Sequence, residues 1–128
     1  MVEGLDNILK AHDIQIAVQG FASSKILIGL GFTNFYMKNY DKAINYTQQS
    51  IASQPENDLM LIELYPNLAA MFIAQENYDS ALEAINQAER VAHYHNIFDR
   101  VAIIVNKATI YAELSEDKKA IEYYLKAL

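Results

Sequence analysis

Two asparagines, Asn67 and Asn106, stand 39 residues apart. An amide side chain carries two N–H donors and a carbonyl acceptor. It can therefore pair with both the C=O and the N–H of an extended peptide backbone without reading that peptide's sequence. Two such amides in register would offer a bound chain a ladder. The other chemistry-bearing groups are few. His93 and His95 flank Tyr94, but helical metal ligands need one-turn spacing, and residues two apart face different ways. With no third ligand nearby, they read as part of a polar loop. His12 stands alone. Glu113, Glu116 and Asp117 gather at a turn, where acids favour the start of the following helix. Cysteine is absent, and there is neither a Gly-rich phosphate loop nor a Gly-flanked serine. The sequence predicts no enzyme activity, no cofactor and no metal site.

Composition narrows the class further. The 128 residues are 52% apolar and 20% charged, enough to bury a core. Ten Lys and Arg against 16 Asp and Glu give a net charge of −6. That sign opposes a nucleic-acid partner, because phosphate neutralisation needs clustered cations. The most apolar run, residues 26–32, has seven residues, whereas a membrane span needs about 20. The opening MVEGLD has two acids and no basic leader, so a cytoplasmic protein is expected. Four Gly and two Pro leave room mainly for helices.

The elements that must carry the asparagines show in an internal repeat. Ala43, Ala81 and Ala120 recur at spacings of 38 and 39 residues. Each is followed at once by Ile44, Leu82 or Ile121. Four residues on stand Thr47, Ile85 and Tyr124, and seven on stand Ser50, Ala88 and Ala127. These offsets share one helical face. Twelve residues before each alanine is a second small residue, Gly31, Ala69 or Ala108. Asn34, Phe72 and Tyr111 stand nine before it, and Leu27, Tyr65 and Ile104 sixteen before it. Two helices whose small residues let the backbones approach closely make a hairpin, with turns at 38–39, 76–77 and 115–117. Pro66 falls inside a predicted helix, where it either kinks the helix or sits in the first turn of a restarted one.

This pattern resembles the tetratricopeptide repeat (TPR): a large residue, Leu-Gly, an aromatic, Ala, another aromatic, then Pro. Leu27, Leu30-Gly31, Ala43, Ser50 and Pro55 match in the first unit. Tyr65, Leu68-Ala69, Phe72, Ala81, Ile85 and Ala88 match in the second, and Ile104, Ala108, Tyr111, Ala120, Tyr124 and Ala127 in the third. Asn34, Thr47, His93 and Lys107 depart from it. The resemblance implies an all-α, right-handed TPR superhelix of antiparallel hairpins. A single domain over 1–128 is expected, with a partial hairpin at 1–13 and hairpins at about 14–53, 58–94 and 97–128. The spacing exceeds the usual repeat of about 34 residues. The surplus lies near 58–61 and 96–100, where longer first helices would absorb it. Such stretched repeats look like those of bacterial peptide-sensing regulators of the PlcR, Rgg and Rap type, in which a groove binds a short peptide and controls an output domain.

The resemblance also implies which residues line the concave face. They are Lys25, Ile28, Gly29, Phe32, Phe35 and Tyr36 in the first unit, and Glu63, Pro66, Asn67, Ala70, Ile73 and Ala74 in the second. The third supplies Ala102, Val105, Asn106, Thr109, Ala112 and Glu113. Candidate peptide-binding residues are Asn67, Asn106, Phe32, Phe35, Tyr36 and Lys25. Basic residues that clamp a terminal carboxylate in TPR co-chaperones are missing, since Ile28, Phe32, Ala102 and Asn106 stand there. The expected partner is a short peptide or protein segment. The alternative is a scaffold or oligomerisation module. Both ends of the repeat array read as cut or as paired with another subunit, and Ile121, Leu125 and Leu128 suggest a homodimer.

Overall fold

The computed structural model describes residues 7–11 and 24–128. Residues 7–11 are helical; the rest of the partial hairpin expected at 1–13, and the start of the hairpin expected at 14–53, lie outside the described residues. Six helices follow: α1 (Ser24–Tyr36), α2 (Tyr40–Ala52), α3 (Met60–Ala74), α4 (Tyr78–Tyr94), α5 (Val101–Glu113) and α6 (Asp117–Ala127). Among the described residues there is no strand. The architecture is all-α, as the repeat predicts. No described helix is long and apolar enough to cross a membrane. The chain divides into two compact units, Met1–Pro55 and Glu56–Leu128.

In the first unit α1 packs on α2 around Leu27, Leu30, Ala43 and Ile44. This hairpin is polar inside: Asn34, Thr47 and Ser50 are buried. Those are positions where the second hairpin has Phe72, Ile85 and Ala88. The polar groups bond locally. Asn34 Nδ2 donates to the Leu30 carbonyl at 2.8 Å, while its Oδ1 has no partner among the described residues. The Ser24 and Ser50 hydroxyls lie 3.1 Å apart, and the Gln54 amide donates to Ser24. At 34 an amide that bonds within α1 thus stands in place of an aromatic ring, and at 47 the Thr47 hydroxyl lies against Gly31.

In the second unit α3 pairs with α4 and α5 with α6, while α5 also packs on both α4 and α3. Ile85, Val91 and Ile110 are fully enclosed. Ala69, Ala81, Ala108 and Ala120 are buried, as are Ala43 and Gly31 in the first unit. Small residues sit where the axes come close, which places all three hairpins in the register read from the repeat. Pro66 lies inside α3 and is its seventh residue, so the restart alternative fails. The ring takes away the N–H that would reach the Ile62 carbonyl.

The surplus residues correct another expectation. α1, α3 and α5 have 13, 15 and 13 residues, so the first helices are not lengthened. The extra chain instead forms the connections after α2 and α4. Each hairpin turn contains a residue with positive φ, namely Lys38 (62°), Glu76 (60°) and Ser115 (62°). The next N–H reaches back five residues to a helix carbonyl: Asn39 to Asn34 at 2.8 Å, Asn77 to Phe72 at 2.9 Å and Glu116 to Tyr111 at 2.8 Å. This is the hydrogen bond of a Schellman cap, built without glycine. Asn96 (59°) repeats it after α4, where Ile97 N–H donates to the Ala92 carbonyl at 2.8 Å.

Candidate functional site

The second unit sets α3 and α5 side by side. At one end the Arg100 guanidinium, at the start of α5, pairs with Glu63 in the first turn of α3. At the other, the Tyr78 hydroxyl, just beyond α3, donates to Glu113 Oε2 at 3.3 Å. Desolvation, then the charges of Glu113 and Glu76, raise the Tyr78 phenol above its ordinary pKa. Starts meet at one end and finishes at the other, so the two helices run in the same direction.

Asn67 lies one turn past Glu63, and Asn106 lies midway along α5. Both are half-buried, and neither amide is committed to a hydrogen bond among the described residues. Around them Ala70, Ile73 and Thr109 are half-buried and Ala102, Val105 and Ala112 exposed. The Thr109 hydroxyl is occupied, donating to the Val105 carbonyl at 3.0 Å. Pro66 does not join this strip: it is buried in the unit, because its position on α3 faces the packed side. The strip can offer paired amides and short apolar side chains to an extended backbone.

The remaining candidates lie on α1, in the other unit. Lys25 and Tyr36 are exposed, Phe32 is 41% exposed, and Phe35 is half-buried. Phe35 stacks edge-on against Tyr40 with ring centroids 5.7 Å apart. The amides thus belong to one unit and the aromatics to the other.

Sequence reasoning missed an ion pair. Lys107, read as a misfit for an apolar position, is buried and donates to both carboxylate oxygens of Glu89, at 2.9 and 3.0 Å. Its ammonium also lies 5.3 Å from the centroid of Tyr123, which stacks on Tyr111 at 5.5 Å. Burial lowers the Lys107 pKa, but the Glu89 hydrogen bonds and charge outweigh it and leave the net value raised. The available signal was a Lys and a Glu on neighbouring predicted helices, which spacing alone could not pair. The histidines separate in role: His95 Nε2 meets the Asn57 carbonyl, while the His93 ring lies 5.0 Å from that of Phe98. Among the described residues no cluster of three or more metal-ligating side chains occurs. A cleft between α4 and α5, about 20 Å³ and lined in part by Glu89, His93, Phe98 and Arg100, has room for about one water.

Helix hairpins in a common sequence register, with an open strip along α3 and α5 of the second unit, define a repeat-type helical module. A tetratricopeptide-repeat family model matches residues 101–128, the third hairpin of the repeat read from the sequence. No curated protein matches the chain. Among solved structures, one of the MamA protein superposes with a TM-score of 0.74 at 18% identity, covering 97% of this chain and 62% of its own. A MamA MSR-1 C2 structure gives a TM-score of 0.70 at 16% identity, with 97% and 66% coverage. A further MamA structure gives 0.70 at 16%, with 96% and 75% coverage. The chain therefore has the fold of these structures and spans 62–66% of the length of the first two.

Proposed function

We propose that this chain is a protein-interaction module that holds an extended peptide or protein segment along α3 and α5. The observation that carries this reading is the pair of uncommitted, half-buried amides, Asn67 and Asn106, on two helices running side by side. Each amide would bridge the N–H and C=O of the bound backbone, so affinity would depend little on salt. A short signalling peptide and a bacterial regulator as the setting rest on the resemblance of the stretched repeats to bacterial peptide-sensing regulators. Asn67→Ala should weaken a peptide recovered from a library screen by about tenfold, since leaving a partner group unpaired costs about 1–3 kcal/mol. Calorimetry reads the loss and circular dichroism checks the fold. Equal affinity for parent, Asn67→Ala and Asn106→Ala would sink the reading.

A second reading is favoured by α6. Ile121 and Leu125, 59% and 63% exposed, lie along one face of the helix, and Leu128, just past its end, is 100% exposed. Soluble monomers seldom leave such a face in water. A scaffold or homodimer would cover it, and Leu125→Glu would then lower the mass seen by sedimentation velocity. A parent chain that stays monomeric at high concentration would refute this reading.

A further inference from the structure

One end of the Glu56–Leu128 unit gathers the starts of α3 and α5 and the finish of α4. Three contacts brace it. The Asn57 carbonyl meets His95 Nε2, Arg90 Nη1 donates to Asn57 Oδ1 at 2.9 Å, and Arg100 pairs with Glu63. On this end Leu59, Met60, Tyr94, Phe98 and Val101 are each 43–65% exposed. Single exposed apolar residues are ordinary, but a cluster on a soluble chain marks a contact surface. The braces hold the cluster in place, so a partner would meet a surface already formed and lose less in ordering it.

Charge selects the kind of partner. Glu56, Asp58 and Asp99 are interleaved with the apolar residues in sequence, and the whole chain carries −6. Of the nearby arginines, Arg100 is paired with Glu63, and Arg90, bonded to the neutral Asn57 and Gln87 side chains, is one cation against these three acids. The α6 helix differs, because Lys118, Lys119 and Lys126 outnumber Asp117 and Glu122 on it. We infer that the end formed by Leu59, Met60, Tyr94, Phe98 and Val101 docks a cationic amphipathic segment of a partner protein. The partner's apolar side chains would cover these residues, and its lysines or arginines would meet Glu56, Asp58 and Asp99. Asn67 and Asn106 take no part in this contact.

The test uses the full chain and two synthetic amphipathic helical peptides. Both carry leucine on one face; the polar face is lysine in one and glutamate in the other. Titration followed by backbone amide NMR should show the lysine peptide binding, with shifts centred on Leu59, Tyr94, Phe98 and Val101. Added salt should weaken it. Leu59→Ser with Phe98→Ser should reduce affinity about tenfold or more, while Asn67→Ala leaves it unchanged. Asp58→Asn with Asp99→Asn spares the apolar residues. It should weaken binding and flatten the salt dependence even if the serine variant folds poorly. Equal binding of the glutamate peptide would overturn the inference. So would shifts centred on α6 or on Asn67 and Asn106, or concentration-dependent shifts at Phe98 without peptide, which would make the occupant a second copy.

Discussion

Glu89→Ala should destabilise the chain by about 2–3 kcal/mol in urea unfolding, whereas Lys107→Met should cost little or add stability. Removing Glu89 leaves the Lys107 ammonium buried without its carboxylate, and breaking one side of a buried pair typically costs about 3–5 kcal/mol. The lower figure applies because the Glu89 side chain keeps 35% of its surface in water, against 7% for Lys107. Replacing Lys107 by methionine removes the charge and its desolvation cost together. The thioether can fill the space beside Tyr123. If Lys107→Met is as damaging as Glu89→Ala, the pair is itself a net source of stability and this account is wrong.

The same pair predicts an alkaline limit. The folded pKa of Lys107 is raised above its ordinary 10.5. For a raised cation, the stabilisation is fully present below the unfolded value and is lost as pH rises through the folded one. Stability should therefore hold through neutral pH and fall above the ordinary lysine range. Lys107→Met should lose that part of the alkaline decline.

Gly31→Leu should cost about 3 kcal/mol, while Gly29→Ala, two residues earlier on α1, should stabilise by about 0.5–1 kcal/mol. Alanine normally outperforms glycine within a helix by about that amount. At Gly29 a new Cβ meets nothing within 4 Å, so the propensity gain stands alone. At Gly31 it would lie 2.7 Å from Thr47 Oγ1 and 3.6 Å from the Ala43 carbonyl. Overpacking of that kind typically costs about 1–3 kcal/mol, and leucine brings three carbons beyond the Cβ. Thr47→Ala should recover part of the loss by removing the hydroxyl. Urea midpoints for the four chains check this; a tolerated Gly31→Leu would mean that α1 and α2 do not cross at this residue.

The repeat of small residues at 31, 69 and 108 and at 43, 81 and 120 determined the helix hairpins, because close approach of two helices admits little else at the crossing. It placed the turns as well, although their αL residues are Lys38, Glu76 and Ser115. Glycine, the usual marker of such caps, is absent there, and the polar neighbours carried the signal instead. The candidate lining came from the resemblance to the tetratricopeptide repeat. Asn67 and Asn106 came out half-buried on adjacent helices, whereas Pro66 turned inward.

Contacts across helices were beyond the sequence. Lys107 looked like a misfit because periodicity records only the face a residue takes, not what meets it there. Glu89 is 18 residues away, and only the packing of α4 on α5 brings the carboxylate to the ammonium. Asn34 and Thr47 likewise looked like defects in an aromatic pattern until the structure set the Asn34 amide on the Leu30 carbonyl and Thr47 against Gly31. The exposed cluster from Leu59 to Val101 arises in the same way, from segments about 40 residues apart joined through Asn57, His95, Glu63 and Arg100. Local pattern determines helices because their hydrogen bonds and faces repeat within a few residues. Partners distant in the chain are set by how the helices stack, and that was decided by the tertiary structure alone.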